Sequence, residues 1–379
     1  MHTMIVEQHW YSSVPVGLSS TRGFQTVACS EGLGDESRLE RHCAYVRPSG
    51  QSDGPVNWGW FDLGDDRACI HRIAYSGTDE LGRPGNFMAH NLVVRQDDLR
   101  AIGHDVPSLI HWVRHSSPQQ YPTADGGRDG FVRDFEQLYA RFGQERQALR
   151  SVPTLEVPID EVRQLRERAR SDWQAILQRQ LDHRSNALGL SAILQARLCE
   201  SKYRRPILIV GDNSQAQDAE LELQFIEILF LLLPPRCWAD FTFATYEHDP
   251  RSIAFPHGPS TGPHRRRSLA FTTSLNDFGI SGVEPSNSVW FVALQNHEDI
   301  LPPNSALANS WRGWLEQRDF AAIEKYQNLV AQFQFPDEWA GLDTPRQLLD
   351  FDRRPTGRPD YDLFCRSINY LRPNSPLES

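Results

Sequence analysis

The spacing of apolar and polar positions changes period several times along the chain, and each change marks an expected element. Met4 to Trp10 and Gly23 to Cys29 are short apolar-rich runs separated by a Ser/Pro/Gly stretch, which reads as two strands around a loop. A short helix is expected over Glu36 to Tyr45, and Pro48 to Gly59 has loop chemistry. Trp60 to Leu63, Ala68 to Tyr75 and Asn86 to Val94 read as extended, with a turn at Gly77 to Gly85 between the last two. The two-residue period of a strand puts Cys69, His71 and Ile73 on one face and Ile70 on the other. From Asp97 the spacing of Ile102, Leu109, Ile110 and Val113 turns helical, and Gly103 and Pro107 should split that helix in two. Tyr121 to Gly130 reads as an exposed loop and Phe131 to Phe142 as helix.

Ser151 to Pro158 carries two prolines and is the expected domain boundary. Beyond it Val162, Leu165, Ala169, Trp173, Ile176, Leu177 and Leu181 recur at steps of three and four, which predicts one amphipathic helix, with Ala187 to Cys199 as its antiparallel partner. Strand Pro206 to Val210, helix Asp218 to Leu233 and strand Phe241 to Tyr246 form a βαβ pattern, whose long crossover implies parallel strands. Leu269 to Thr273 and Val289 to Leu294 complete an expected four-stranded sheet. Helical patterns follow at Ala306 to Leu315, Phe320 to Phe333, Pro345 to Phe351 and Tyr361 to Leu371. The expected fold class is mixed α/β: an α+β N-terminal domain over 1–150, then a second domain over 151–379. That second domain has a helical pair, a small, partly parallel sheet covered by helices, and a helical tail from about 304.

Composition agrees with two packed domains, since 379 residues exceed the roughly 250 to 300 at which one core stops growing, and ten Trp and nineteen Phe supply the core. A net charge of −10 repels phosphate backbones and anionic lipid, which argues against nucleic acid as the main partner. The densest basic run, Arg265 to Arg267 beside His264, reads as a solvated strand entrance. Six cysteines without a CxxC pair fit a reducing, cytoplasmic setting better than a disulfide scaffold. The N-terminus lacks a basic region followed by an apolar one, so no signal peptide is expected. The run Phe225 to Leu233 contains Glu227 and stops at Pro234, short of the ~20 residues a membrane span needs.

Candidate chemistry is sparse. The turn Gly211 to Asp218 lies between a strand and a helix, where phosphate loops sit, yet it has neither GxxxxGK[ST] nor GxGxxG. Asp212 and Asp218 would repel phosphate and more simply cap the helix, so a degenerate nucleotide sensor stands as an alternative only. A Cys/His site from Cys69, His71 and His90 is a second alternative, and it would make the chain an effector hydrolase or nuclease. Its ligand spacing is loose, and a cysteine on an apolar face is more often core. No GxSxG, HExxH, DFG or HRD pattern occurs, and no cofactor is expected. Gly82 to Leu92 gives a different signal: Pro84 and Gly85 set a tight turn, and Arg83, Asn86 and His90 lie at the mouth of a strand, which local chemistry reads equally as a recognition surface or as a hairpin turn satisfied by its own hydrogen bonds. Trp10, Trp58 and Trp60 are expected to join that surface, because aromatics and arginine dominate binding hot spots.

Several stretches together resemble a known family. They are Glu7-Gln-His-Trp-Tyr11, Val16-Gly-Leu18, Gly23-Phe-Gln25, Ser30-Glu-Gly-Leu33 and above all Gly82-Arg-Pro-Gly-Asn-Phe-Met-Ala-His90. These are similar to the N-terminal domain of the bacterial GTPase-associated protein family. Leu232-Leu-Pro-Pro235 and Phe241-Thr-Phe-Ala-Thr-Tyr246 resemble its middle region. The resemblance implies an adaptor rather than a catalyst, working in a bacterial conflict or defence system beside a GTPase or other NTPase partner.

Overall fold

The computed structural model describes residues 2–15, 17–18, 22–34, 36–43, 45, 47, 56–79, 81–115, 136–137, 150–184, 190, 207–210, 219–233, 238, 241–248, 269–272, 290–293 and 313–332. Five antiparallel strands form one half of a mixed sheet: β1 (Thr3–Val14), β2 (Gly23–Cys29), β3 (Asn57–Gly64), β4 (Arg67–Thr78) and β5 (Pro84–Arg95), in the order β3-β4-β5-β1-β2. The β3–β4 hairpin closes on Asp65 and Asp66, both left-handed (φ 52° and 59°), a conformation aspartate tolerates and one that matches the twist of paired strands. A bulge between Trp10 and Tyr11 shifts the register of β1 against β2. The first residues of β1 also pair with β6 (Leu155–Pro158), from Thr3 opposite Pro158 to Val6 opposite Leu155.

The other half is parallel: β7 (Ile207–Val210), β8 (Phe243–Ala244), β9 (Leu269–Thr272) and β10 (Trp290–Ala293), ordered β10-β7-β9-β8. The parallel strands expected from the βαβ pattern are present, but β9 lies between β7 and β8. Nor is this a separate four-stranded sheet, because β8 pairs antiparallel with Gly59 and Trp60 of β3. Side chains stitch that seam: Trp58 N–H donates to Thr245 Oγ1 (2.8 Å) and Tyr246 N–H to Asn57 Oδ1 (3.1 Å).

Helices α1 (Glu36–Glu40), α2 (Gln96–Ala101), α3 (Val106–His115), α4 (Ile159–Ser171), α5 (Trp173–Arg184), α6 (Ala219–Leu232) and α7 (Phe320–Gln332) complete the described elements. The break between α2 and α3 falls at Gly103 (φ 66°) and His104 (φ 58°), as the sequence predicts. The single helix expected from Val162 to Leu181 is instead two, interrupted at Asp172, where the backbone leaves helical geometry (φ −102°, ψ 6°) and Ser171 Oγ donates to the Arg168 carbonyl (2.8 Å). Apolar side chains crowd α6, with Phe225, Ile226, Ile228, Leu229 and Phe230 all buried, so it lies in the core against β3 and the α5 layer. Each such side chain contributes roughly 1.5–3 kcal/mol on burial. Among the described residues no helix is long and apolar enough to cross a membrane.

Both faces of the antiparallel half are covered. Trp10, Ile70, Met88, Leu92 and Val94 enter the main core with Leu99, Leu109 and Val162 from the helices. On the opposite face, residues of the segment 30–47 form a strap: Leu33 and Leu39 pack on Phe61, Cys69 and Val93, and Cys43 and Tyr45 pack on Ile73, Tyr75 and Ala89.

Candidate functional site

Strand register lines up the polar residues of this half in two transverse rows, one on each face. Under the strap the row runs Cys29 (β2), His9 (β1), Asn91 (β5), His71 (β4) and Gly59 (β3). Gly59 is required here, because a Cβ at that position would lie 2.6 Å from His71 Cδ2. Proton positions along the row follow from its ends. Glu40 Oε1 accepts from both the Thr26 hydroxyl (2.6 Å) and the Thr26 N–H (2.8 Å), which leaves Thr26 Oγ1 to accept from His9 Nε2–H (2.9 Å). His9 Nδ1 then accepts from Asn91 Nδ2–H (2.9 Å), whose other proton points to Cys43 Sγ (3.0 Å). Cys43 in turn donates to the Leu39 carbonyl (3.3 Å), and Cys69 donates to Asn91 Oδ1 (3.7 Å). The chain runs strap to sheet to strap and needs a neutral His9, whose pKa burial pushes down to about 3. Burial also raises the Tyr11 hydroxyl to about 12, with Cys43 and Glu40 adding to the effect.

On the core face the row is Trp10, His90, Arg72 and Trp58. The His90 ring stacks on Trp10 (centroids 3.8 Å, 15°) and meets Gln8 Oε1 through Nε2 (3.1 Å), while the Arg72 guanidinium lies over Trp58 (5.3 Å). Burial first, then the Arg72 charge, holds His90 well below the usual histidine range. Three of the residues expected at a recognition surface therefore share one row, but inside the molecule. Trp10, Trp58, Trp60 and His90 are all at most 2% exposed, a correction whose cause is the helical layer over this face of the sheet.

The Cys69, His71 and His90 grouping is corrected as well. His71 pairs with Asn91, and His90 is the next residue along β5, so strand alternation sends its ring to the opposite face from Cys69 and His71. Cys69 is fully buried against Asn91. Asn91 and His9, which the sequence reading did not single out, take the place given to His90. The only sequence signal for them is a polar residue inside each of two apolar strands. The Gly211 to Asp218 turn and the Arg265 to Arg267 run lie outside the described residues.

The surface signal from Gly82 to Leu92 resolves into the tip of the β4–β5 hairpin. Asp79 organises it: Oδ1 accepts from the N–H groups of Leu81 and Arg83 (both 2.9 Å), and Oδ2 from Arg83 Nε (2.6 Å). Backbone bonds from Asp79 N–H to the Arg83 carbonyl (2.9 Å) and from Gly82 N–H to the Asp79 carbonyl (2.9 Å) close the turn. Gly82 (φ 75°) and Gly85 (φ 96°) supply the left-handed positions it needs. The hydrogen bond from Arg83 holds the Asp79 carboxyl below the usual range. Leu81 at the apex is 58% exposed and the Arg83 side chain 63% exposed. Asn86 is half-buried at the base, where its Oδ1 accepts from Ser13 N–H (3.3 Å). Of the expected contact residues, Arg83 thus faces solvent, Asn86 fixes the end of β1, and His90 is core.

Residues 5–123 match the family described as GTPase-associated protein 1, N-terminal domain type 2, in line with the resemblance read from the sequence. That span holds β1 to β5, α1 to α3, both rows and the hairpin tip. No curated protein matches the chain.

Proposed function

We propose that this chain is a non-catalytic adaptor that binds a partner GTPase, in the cytoplasm and as part of a bacterial conflict or defence system. The observation that carries this reading is the hairpin tip, where an apolar apex and a guanidinium stand in solvent on a turn already fixed by Asp79. A turn ordered before contact loses little conformational entropy on binding, which is the property a protein-docking element needs. The association with a GTPase in the description of the matched domain supports the choice of partner. The competing Cys/His reading loses its geometric basis, because His90 lies on the far side of the sheet from Cys69 and His71. Affinity capture from the native host tests the proposal. The wild-type chain should recover a GTPase, and Leu81→Asp with Arg83→Ala should recover much less. Recovery of no GTPase by the wild type, or equal recovery by the variant, contradicts it.

A further inference from the structure

The solvent face of α3 carries two histidines that the function proposed above does not use. Its other face is apolar: Val106, Leu109, Ile110, Trp112 and Val113 are buried, and their spacing leaves His111 and His115 exposed on the same side, one turn apart. The two imidazole rings lie 4.5 Å apart between centroids, tilted by 52°. The helix that holds them is well anchored. Asp105 caps its start, Oδ1 accepting from the Ser108 N–H (3.2 Å) and Oδ2 from the Ser108 hydroxyl (2.7 Å). Between the two histidines in sequence, Trp112 Nε1 donates to Glu161 Oε2 of α4 (2.7 Å), so this turn is held against a second helix.

Two imidazoles at this spacing have the geometry of a chelate. Nitrogens that each bind one ion at about 2.1 Å stand about 3.4 Å apart in a tetrahedral arrangement, which rings this close reach by small rotations about their side-chain bonds. The backbone need not move. The last carbonyls of a helix carry partial negative charge, and the pair lies at the C-terminal end of α3, where a cation is favoured. Arg114 opposes that attraction by its charge, but it is half-buried and turned about 100° around the helix from His115. Imidazole nitrogen suits zinc, copper and nickel, whereas magnesium and calcium prefer oxygen. Among the described residues no group of three or more His, Cys, Asp or Glu side chains is placed to hold a metal ion, so this pair supplies two ligands and water takes the remaining positions.

We infer that His111 and His115 form a surface site that chelates one divalent transition-metal ion. The inference is independent of the adaptor reading, and failure of either leaves the other standing. Isothermal titration of the full chain, made without a histidine tag, would be run with Ni2+, Zn2+ and Mg2+. The wild type should bind Ni2+ and Zn2+ but not Mg2+, and His111→Gln and His115→Gln should each weaken that binding at least about tenfold, since each removes one of the two chelating ligands. Thermal unfolding without metal should be the same in all three proteins, because both side chains are exposed. The chain holds thirteen histidines and six cysteines, so the position is also read in the wild type itself. Sub-stoichiometric Ni2+, which is paramagnetic, should broaden the imidazole NMR signals of His111 and His115 before those of any other histidine. Absence of Ni2+ and Zn2+ binding, a titration of either variant that superimposes on the wild type, or broadening that begins at other histidines overturns the inference.

Discussion

Replacing His9 by glutamine should flatten the acid limb of the stability curve by a definite amount. His9 is fully buried between Thr26 and Asn91, and burial lowers its pKa from 6.5 to about 3. Between those values the unfolded chain holds a proton on residue 9 that the folded chain excludes, so stability rises with pH across the window. The contribution is complete above the unfolded pKa and is lost progressively as pH falls toward the folded one. One excluded proton gives a slope of about 1.4 kcal/mol per pH unit, hence roughly 3 kcal/mol between pH about 4 and about 6. Glu7, Asp98 and Asp105, whose pKa values burial raises, act in the opposite sense, but they are common to both proteins and cancel in the difference. Urea unfolding at several pH values in that window gives each slope directly. His9→Gln should be less stable near neutrality, yet its slope should be smaller than that of the wild type by about one proton. Parallel curves would show that residue 9 exchanges protons with solvent in the folded protein, and the hydrogen-bonded row under the strap would have to be abandoned.

Three further outcomes follow from the same geometry. Gly59→Ala should cost about 1–3 kcal/mol through overpacking against His71, and Gly59→Ala with His71→Ala should cost less than the sum of the two single changes in denaturant titrations. Asn91→Leu, which removes the donor to His9 Nδ1 and both sulfur contacts at similar volume, should lose roughly 2–4 kcal/mol by the same measurement. Asp79→Ala should leave the core intact but speed hydrogen exchange at the Leu81 and Arg83 amides, because their acceptor is gone, and should weaken GTPase capture without lowering the melting temperature appreciably.

Most strands of the antiparallel half were legible because they are long and bounded by clear turn chemistry. The face shared by Cys69, His71 and Ile73 followed from strand period alone. What period could not show was register between strands: whether His90 or Asn91 stands beside His71 depends on how β5 slides against β4, and one residue reverses the answer. Trp10, Trp58 and Trp60 were misplaced because both faces of this sheet are covered, so β1 buries Gln8, His9 and Trp10 in succession and the alternation that marks an outer face disappears. The split at Asp172 was hidden by apolar residues that keep helical spacing on both sides of it. The joining of β8 to β3 links residues about 185 apart in sequence, and local patterning carries no information at that range. The hairpin tip was found because its signal is local: Gly82, Arg83, Pro84 and Gly85 state the turn in consecutive residues.

The claim on which the functional account stands is that the hairpin apex touches the GTPase. A photo-crosslinking amino acid placed at Leu81 in the full chain, with the exposed Ile5 near the start of β1 as a control, reads that contact in the native host. The account predicts a covalent adduct with a GTPase from position 81 and none from position 5. A GTPase adduct from position 5 but not 81, or none from either, would contradict it.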